Sequence, residues 1–283
     1  VPAVHPLTTV DELAAQLGVG AGGVREDDLA VCDVRWYLAD PDRGSREYVE
    51  GHLPGAVFVD LRRDLAGGPG GGRHPLPAPG DFAGLLGRLG IDPSTRVVAY
   101  DDSGGAVAAR LWWMLRSIGH RAVSVLDGGF GAWVDAGLPV TSAVVGRPSR
   151  HYPAPSEWTG VATIDEVATA SRAGDALVDA RAAERYRGDV EPIDPRAGHV
   201  PGAVSRPHLE NLGADGRHRP PDELAARFAD VGDDPIVYCG SGVTACHDLL
   251  AMAIAGRRDG RLYPGSWSEW SSDPGRPAAT GGS

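Results

Sequence analysis

The chain repeats its own layout, and that repeat limits the fold more than any composition figure. Thr9-Val10-Asp11-Glu12 and Thr163-Ile164-Asp165-Glu166 are both capping-box starts before apolar-periodic runs. In each, the Thr hydroxyl serves the third residue's N–H and the Glu reaches back. Val31-Cys32-Asp33-Val34-Arg35 and Leu177-Val178-Asp179-Ala180-Arg181 are short apolar runs ending in Asp-x-Arg, and both read as strands. Gly51-His52-Leu53-Pro54-Gly55-Ala56-Val57 returns 147 residues later as Gly198-His199-Val200-Pro201-Gly202-Ala203-Val204. Its Pro-Gly enforces a turn before the next strand. Val97-Val98-Ala99-Tyr100-Asp101-Asp102-Ser103-Gly104 matches Ile236-Val237-Tyr238-Cys239-Gly240-Ser241-Gly242 at an offset of 138. Gly128-Gly129-Phe130-Gly131-Ala132-Trp133 pairs with Gly265-Ser266-Trp267-Ser268-Glu269-Trp270. Two copies of strand, turn, strand, helix and strand in 283 residues make two domains of ordinary size, each with its own core. The expected division is 1–141 for the first domain, 142–158 for a Pro-, Ser- and Arg-rich extended linker, and 159–283 for the second.

Where the first copy has Asp101, the second has Cys239. Cys239 ends an apolar β-like segment and begins a Gly-rich loop that leads into a helix. Such a junction leaves backbone N–H groups unpaired and converging, with the helix dipole behind them. It is an anion cradle, and it favours the thiolate, the reactive form of cysteine. The plainer reading of Cys239 is a buried structural thiol. A carboxylate cannot be a sulfur nucleophile, so the first copy is expected to shape the site and the second to carry the chemistry. Gly67-Gly68-Pro69-Gly70-Gly71-Gly72 can hardly form a regular element; it is expected as a mobile loop delivering Arg73-His74-Pro75 toward the cleft.

Composition narrows the setting. The formal charge of −11 and pI of about 5.2 argue against a nucleic-acid partner, which needs a basic footprint. All 27 basic residues are Arg. That excludes a Schiff-base or P-loop lysine and leaves arginine for anion capture. Three cysteines, Cys32, Cys239 and Cys246, with no CxxC pair, suit a reducing compartment. No signal-like N-terminal segment and no apolar stretch near 18 residues is found, so a cytoplasmic protein without a membrane partner is expected.

Spacing separates the chemistries open to Cys239. A cysteine phosphatase needs an Arg six residues after the nucleophile to grip phosphoryl oxygens, and Ala245 stands there. A zinc site wants several ligands at short spacing; Cys246 and His247 are expected to point along a helix instead. A cysteine hydrolase needs a base beside the thiol, which spacing alone does not show. Sulfur transfer needs a stabilised thiolate, a cradle for the persulfide and positive charge for the donor.

The tandem layout, the Asp-x-Arg and Gly-His-x-Pro-Gly-Ala-Val turns, the Gly-x-Trp-x-x-Trp ending and Cys239-Gly240-Ser241-Gly242-Val243-Thr244-Ala245 resemble the two-domain rhodaneses over roughly Thr9 to Trp270. The resemblance implies an α/β fold of two tandem rhodanese-like domains, each a mainly parallel sheet flanked by helices. It implies a sulfurtransferase with Cys239 as the nucleophile, Arg185 as the substrate-anchoring arginine and Gly240, Gly242, Val243 and Thr244 forming the loop. Ser241 and His74 match members of a Ser-His-Asp relay. A neutral Gly-Ser pair after the cysteine is similar to 3-mercaptopyruvate sulfurtransferases, whereas thiosulfate sulfurtransferases usually carry Arg and Lys there. The sequence departs from the pattern twice. Arg62 holds the place of the relay's Asp, and Ile193 or Asp194 stands near that of a second substrate arginine, with Arg196 shortly after. Thiosulfate:cyanide transfer and a non-catalytic persulfide carrier are the alternative functions. No cofactor or metal is implied. The expected partners are a small anionic donor and a thiophilic acceptor such as cyanide or a thiol, and the protein is expected to be a monomer or weak homo-oligomer.

Overall fold

Both capping boxes close in the computed structural model, which describes residues 4–19, 28–68, 70–257 and 260–282. Thr9 Oγ1 accepts from the Glu12 N–H at 3.2 Å while Glu12 Oε2 accepts from the Thr9 N–H at 2.9 Å. Thr163 and Glu166 repeat the exchange at 3.3 and 2.7 Å. The helices they open are α1 (Val10–Gln16) and, in the second copy, α7 (Ile164–Ala173).

The chain divides into two compact units: Val1–Ala66 with Pro77–Thr159 and Asp215–Arg217, and Gly67–Leu76 with Gly160–Ala214 and His218–Ser283. Segment 67–76 lies in the first half of the sequence yet is grouped with the second unit. The described residues of its Gly-rich part form neither helix nor strand, and Pro69 lies outside them. Segment 142–158 runs with the first unit, held by Arg147 Nη1 donating to Leu29 O at 2.6 Å and the Arg150 N–H donating to Gly87 O at 2.9 Å.

In the first unit β1 (Leu7–Thr8), β2 (Leu29–Asp33), β3 (Val57–Phe58), β4 (Arg96–Tyr100) and β5 (Val123–Leu126) form a parallel sheet in the order β1-β5-β4-β2-β3. Five further helices flank it in sequence: α2 (Arg43–Glu50), α3 (Leu61–Asp64), α4 (Pro79–Arg88), α5 (Ala108–Ser117) and α6 (Gly129–Asp135). Leu13, Leu29, Val31, Leu53, Val98, Tyr100 and Trp133 fill one core face of the unit. In the second unit β6 (Leu177–Asp179), β7 (Val204–Ser205), β8 (Ile236–Tyr238) and β9 (Arg261–Leu262) are parallel in the order β7-β6-β8-β9. A lone parallel bridge from Val161 to Leu262 stands where the first sheet has β1 against β5. The remaining elements are α8 (Ala183–Arg187), a 3₁₀ turn (His208–Asn211), α9 (Pro221–Arg227), α10 (Ala245–Ile254) and α11 (Ser266–Trp270).

The Asp-x-Arg runs are strands only as far as the Asp. Arg35 turns its own N–H onto Asp33 Oδ1 at 3.1 Å and lays Nε and Nη2 against the same carboxylate, the Nη2 bond at 2.6 Å; Arg181 does the same on Asp179. The local bond competes with the ladder and ends it. Each arginine also donates to the carbonyl before the motif histidine, Gly51 O at 2.8 Å and Gly198 O at 2.6 Å. Those histidines are structural. His52 stacks on Tyr48 and His199 on Tyr186, and their Nδ1 atoms bond Tyr48 O and Tyr186 O at 2.7 and 2.8 Å.

Candidate active site

Strand β8 delivers Cys239 to the end of the sheet, and the chain bends through 239–244 before α10 starts at Ala245. Cys239 is buried, and its Sγ accepts from the Ser241 and Gly242 N–H groups at 3.4 and 3.1 Å. Gly242 makes the bend with φ +75°, and a Cβ there would stand 2.5 Å from Pro264 O, so only glycine serves. Val243 and Thr244 give their carbonyls to the first turn of α10, accepting from Cys246 and His247 N–H at 3.1 Å each. The backbone of Cys239 is fixed from below. Its N–H donates to Ser266 Oγ at 3.1 Å, that hydroxyl donates to Tyr263 O at 2.9 Å, and Cys239 O accepts from the Trp267 N–H at 2.9 Å. Ser266 holds φ +54°, a left-handed conformation costly for a non-glycine residue and found most often where function demands it.

Segment 67–76 supplies the other wall. His74 Nδ1 lies 2.9 Å from Ser241 Oγ, and both side chains are buried. The Arg73 N–H donates to Ser268 Oγ at 3.1 Å, which ties the segment to α11. Arg73 and Arg185 converge on Gly240: a Cβ there would lie 2.8 Å from Arg73 Nη2 and 3.4 Å from Arg185 Nη1. Buried carboxylates hold both guanidinium groups. Arg185 Nη2 bonds Glu191 Oε1 at 2.7 Å and Asp194 Oδ2 at 3.0 Å, and Arg73 Nη1 bonds Asp194 Oδ1. Burial holds Asp194 above the usual carboxylate range against the pull of Arg73. Burial also pushes Glu191 upward, but its bonds to Arg185 and to the Asp194 and Ile193 N–H groups outweigh that and leave it lowered.

The second unit thus brings together Cys239, Gly240, Ser241, Gly242, His74 and Arg185. Arg73, Asp194 and Ser266 belong to the same cluster; the sequence marks Arg73 only as the loop neighbour of His74 and Asp194 only as standing near a missing arginine, and no signal marks Ser266. Arg62 is in α3, whose start Asp60 caps by accepting from the Arg62 and Arg63 N–H groups at 2.9 and 2.8 Å. Cys246 and His247 sit on α10, where His247 stacks on His218 and lies 3.1 Å from Asn211 Nδ2. The matching loop of the first unit shows what the cradle does with a fixed anion. Asp101 Oδ1 accepts from Ser103 and Gly105 N–H at 2.9 and 2.8 Å, and Oδ2 from Val107 and Ala108 N–H at 2.8 and 2.9 Å.

The family model of the Rhodanese-like domain matches residues 12–136 and again 163–273. The chain belongs to the rhodanese family. Among its rhodanese relatives, a Pseudomonas aeruginosa protein named "Probable 3-mercaptopyruvate sulfurtransferase" is 47% identical over 97% of this chain and 98% of its own. The "Thiosulfate sulfurtransferase" of Mus musculus is 40% identical over 86% of this chain and 84% of its own. The solved structure titled "3-mercaptopyruvate sulfurtransferase from Leishmania major" superposes with a TM-score of 0.82 at 30% identity, covering 96% of this chain and 76% of that one. Relatives of both donor names therefore surround this rhodanese-family chain.

Proposed function

We propose that the chain is a sulfurtransferase that moves sulfane sulfur from 3-mercaptopyruvate to a thiophilic acceptor through a persulfide on Cys239. The observation that carries this reading is the Cys239 sulfur held by two loop N–H groups, with the His74–Ser241 pair 2.9 Å across beside it. The Cys239 thiolate attacks the donor's sulfur, the S–S bond of the persulfide forms, and the donor's C–S bond breaks. The electron pair leaves on carbon as the enolate of pyruvate, which needs a proton; the Ser241 hydroxyl backed by His74 supplies it. Cyanide or a thiol then attacks the outer sulfur and the S–S bond breaks back to the Cys239 thiolate.

The need for that proton favours 3-mercaptopyruvate over thiosulfate, since sulfite leaves as a stable anion. A guanidinium group beside Gly240 holds the donor's anionic end, Arg185 being the one to which the family resemblance points, and the backbone from Gly240 through Ser241, Gly242 and Val243 to Thr244 cradles the persulfide. In this reading 159–283 is the catalytic domain and 142–158 the connection, while 1–141 carries no nucleophile of its own and contributes only its 67–76 segment, with His74, to the second unit. Cys32, Cys239 and Cys246 are not joined in a disulfide, which supports a cytoplasmic setting, and the acidic balance supports small molecules rather than nucleic acid as partners. Among the described residues no helix is long and apolar enough to cross a membrane.

Steady-state kcat/KM for 3-mercaptopyruvate and thiosulfate, measured side by side with cyanide as acceptor, tests the donor. Intact mass after donor treatment tests the intermediate: a gain of about 32 Da in wild type, absent in Cys239→Ser, is expected. An active Cys239→Ser protein overturns the mechanism. A wild-type preference for thiosulfate, with His74→Ala leaving both rates unchanged, replaces the donor.

A further inference from the structure

An arginine grips a two-oxygen anion best with its side-on edge, Nε–H together with the nearer Nη2. Arg35 and Arg181 show this on Asp33 and Asp179 in the chain itself. Arg185 has already spent that edge internally: its Nε meets Glu191 Oε2 at 3.3 Å and its Nη2 meets Glu191 Oε1 at 2.7 Å. Toward Gly240 Arg185 turns its terminal end, Nη1 nearer than Nη2, and Nη2 is already bonded to Glu191 and Asp194. Arg73 is arranged the other way round. Its Nη1 is clamped by Asp194, its backbone is pinned to Ser268, and its Nε is a buried donor with no partner among the described residues. Its Nη2 points at the place where Gly240 carries no side chain. The side chain keeps 28% of its surface exposed, while Asp194 keeps 2%. A buried donor left unpaired is costly, and a ligand oxygen reaching it would remove that cost.

We propose that Arg73 is the donor-gripping arginine of this site, its side-on edge receiving the carboxylate of a 2-oxo acid, with Arg185 Nη1 as a secondary contact. The assignment rests on the sulfurtransferase reading above and reverses the weight that the family resemblance gives to Arg185. The place of a second substrate arginine holds Ile193 or Asp194, and Asp194 instead recruits Arg73 from the 67–76 segment. Gly240 is the counterpart of this arrangement, because any side chain there would stand in the gap between the two guanidinium groups.

The test is steady-state kinetics with 3-mercaptopyruvate and with thiosulfate, cyanide as acceptor, on wild type, Arg73→Ala, Arg73→Lys and Arg185→Ala. With 3-mercaptopyruvate, Arg73→Ala is expected to raise KM by about 30-fold or more while kcat stays within about threefold, the signature of lost donor binding. Arg73→Lys is expected to recover less than about a third of the lost kcat/KM, because the charge returns without the fork. Guanidinium ion at millimolar concentration should partly rescue Arg73→Ala and leave wild type unchanged. Pyruvate should inhibit wild type competitively and Arg73→Ala far more weakly. Should Arg73→Ala fail to fold with Asp194 stranded, the pair Arg73→Ala/Asp194→Asn keeps the same readouts.

Wild type that turns over neither donor overturns the sulfurtransferase reading itself. A wild type that works, with KM unmoved in Arg73→Ala or its loss confined to kcat, overturns the role of Arg73 alone. An equal rise in KM for thiosulfate overturns the carboxylate class. A larger KM effect in Arg185→Ala than in Arg73→Ala restores Arg185 as the principal grip and overturns the proposal.

Discussion

The three cysteines have the same side chain and different surroundings. Cys32 lies inside β2, where burial pushes its thiol up to about 12 and leaves it inert. Cys246 donates to Gly242 O at 3.3 Å, an ordinary contact within a first helical turn. Cys239 has the Ser241 and Gly242 N–H groups turned to its sulfur. Cys246→Ala is therefore expected to keep kcat/KM within about twofold and to retain the sulfur adduct in the mass spectrum. A buried acid on the same helix has a different consequence. Asp248 accepts from Asn211 Nδ2 at 2.6 Å, its Oδ2 has no partner among the described residues, and burial pushes its carboxyl up to about 8. A carboxyl raised in the native state keeps its proton there after the unfolded chain has lost it, so its stabilising share is full below about pH 4 and fades as pH climbs through about 8. Asp248→Asn mimics the protonated form. Its Tm should fall less than that of wild type between pH 5 and pH 8.5, and parallel Tm curves would show that Asp248 does not titrate in that window.

At the scale of elements, the two strand–loop–helix corners are one device with different contents. In the first, four N–H groups close on Asp101; in the second, the N–H groups of Ser241 and Gly242 close on Cys239. Phe130 N–H to Asp101 O at 2.8 Å repeats Trp267 N–H to Cys239 O at 2.9 Å, so even the supports match. Asp102 occupies the place of Gly240, however, and burial holds its carboxyl above the usual range with Tyr37 donating to it. Asp101→Cys is accordingly expected to carry one sulfur per chain after donor treatment, as wild type does; two would contradict it. Gly242→Ala probes the working corner. Its φ of +75° and the nearby Pro264 carbonyl force the loop to shift, and kcat should drop by about a hundredfold or more, while far-UV circular dichroism keeps the native signature. The corners were legible in the sequence because Gly, Pro and a cap residue act locally. Strand ends were less so: the Asp-x-Arg bond that halts β2 at Asp33 and β6 at Asp179 is a side-chain event which apolar periodicity does not register.

Over the whole molecule, the repeat spelled out nearly all of the architecture, since each copy carries its own caps, turns and sheet-end pairs. It could not announce Arg73. That residue's partners, Asp194, Ser268 and Gly240, lie far along the chain, and no local pattern marks a side chain that matters only for what it meets across such a distance. His74 is legible through its resemblance to a relay member, and Arg73 only as the loop residue beside it. Segment Gly67–Leu76 is thus coded inside the first repeat and used by the second unit. A split between the repeats would leave Cys239 on one polypeptide and both Arg73 and His74 on the other, so the second repeat expressed alone would lack the wall that segment 67–76 supplies.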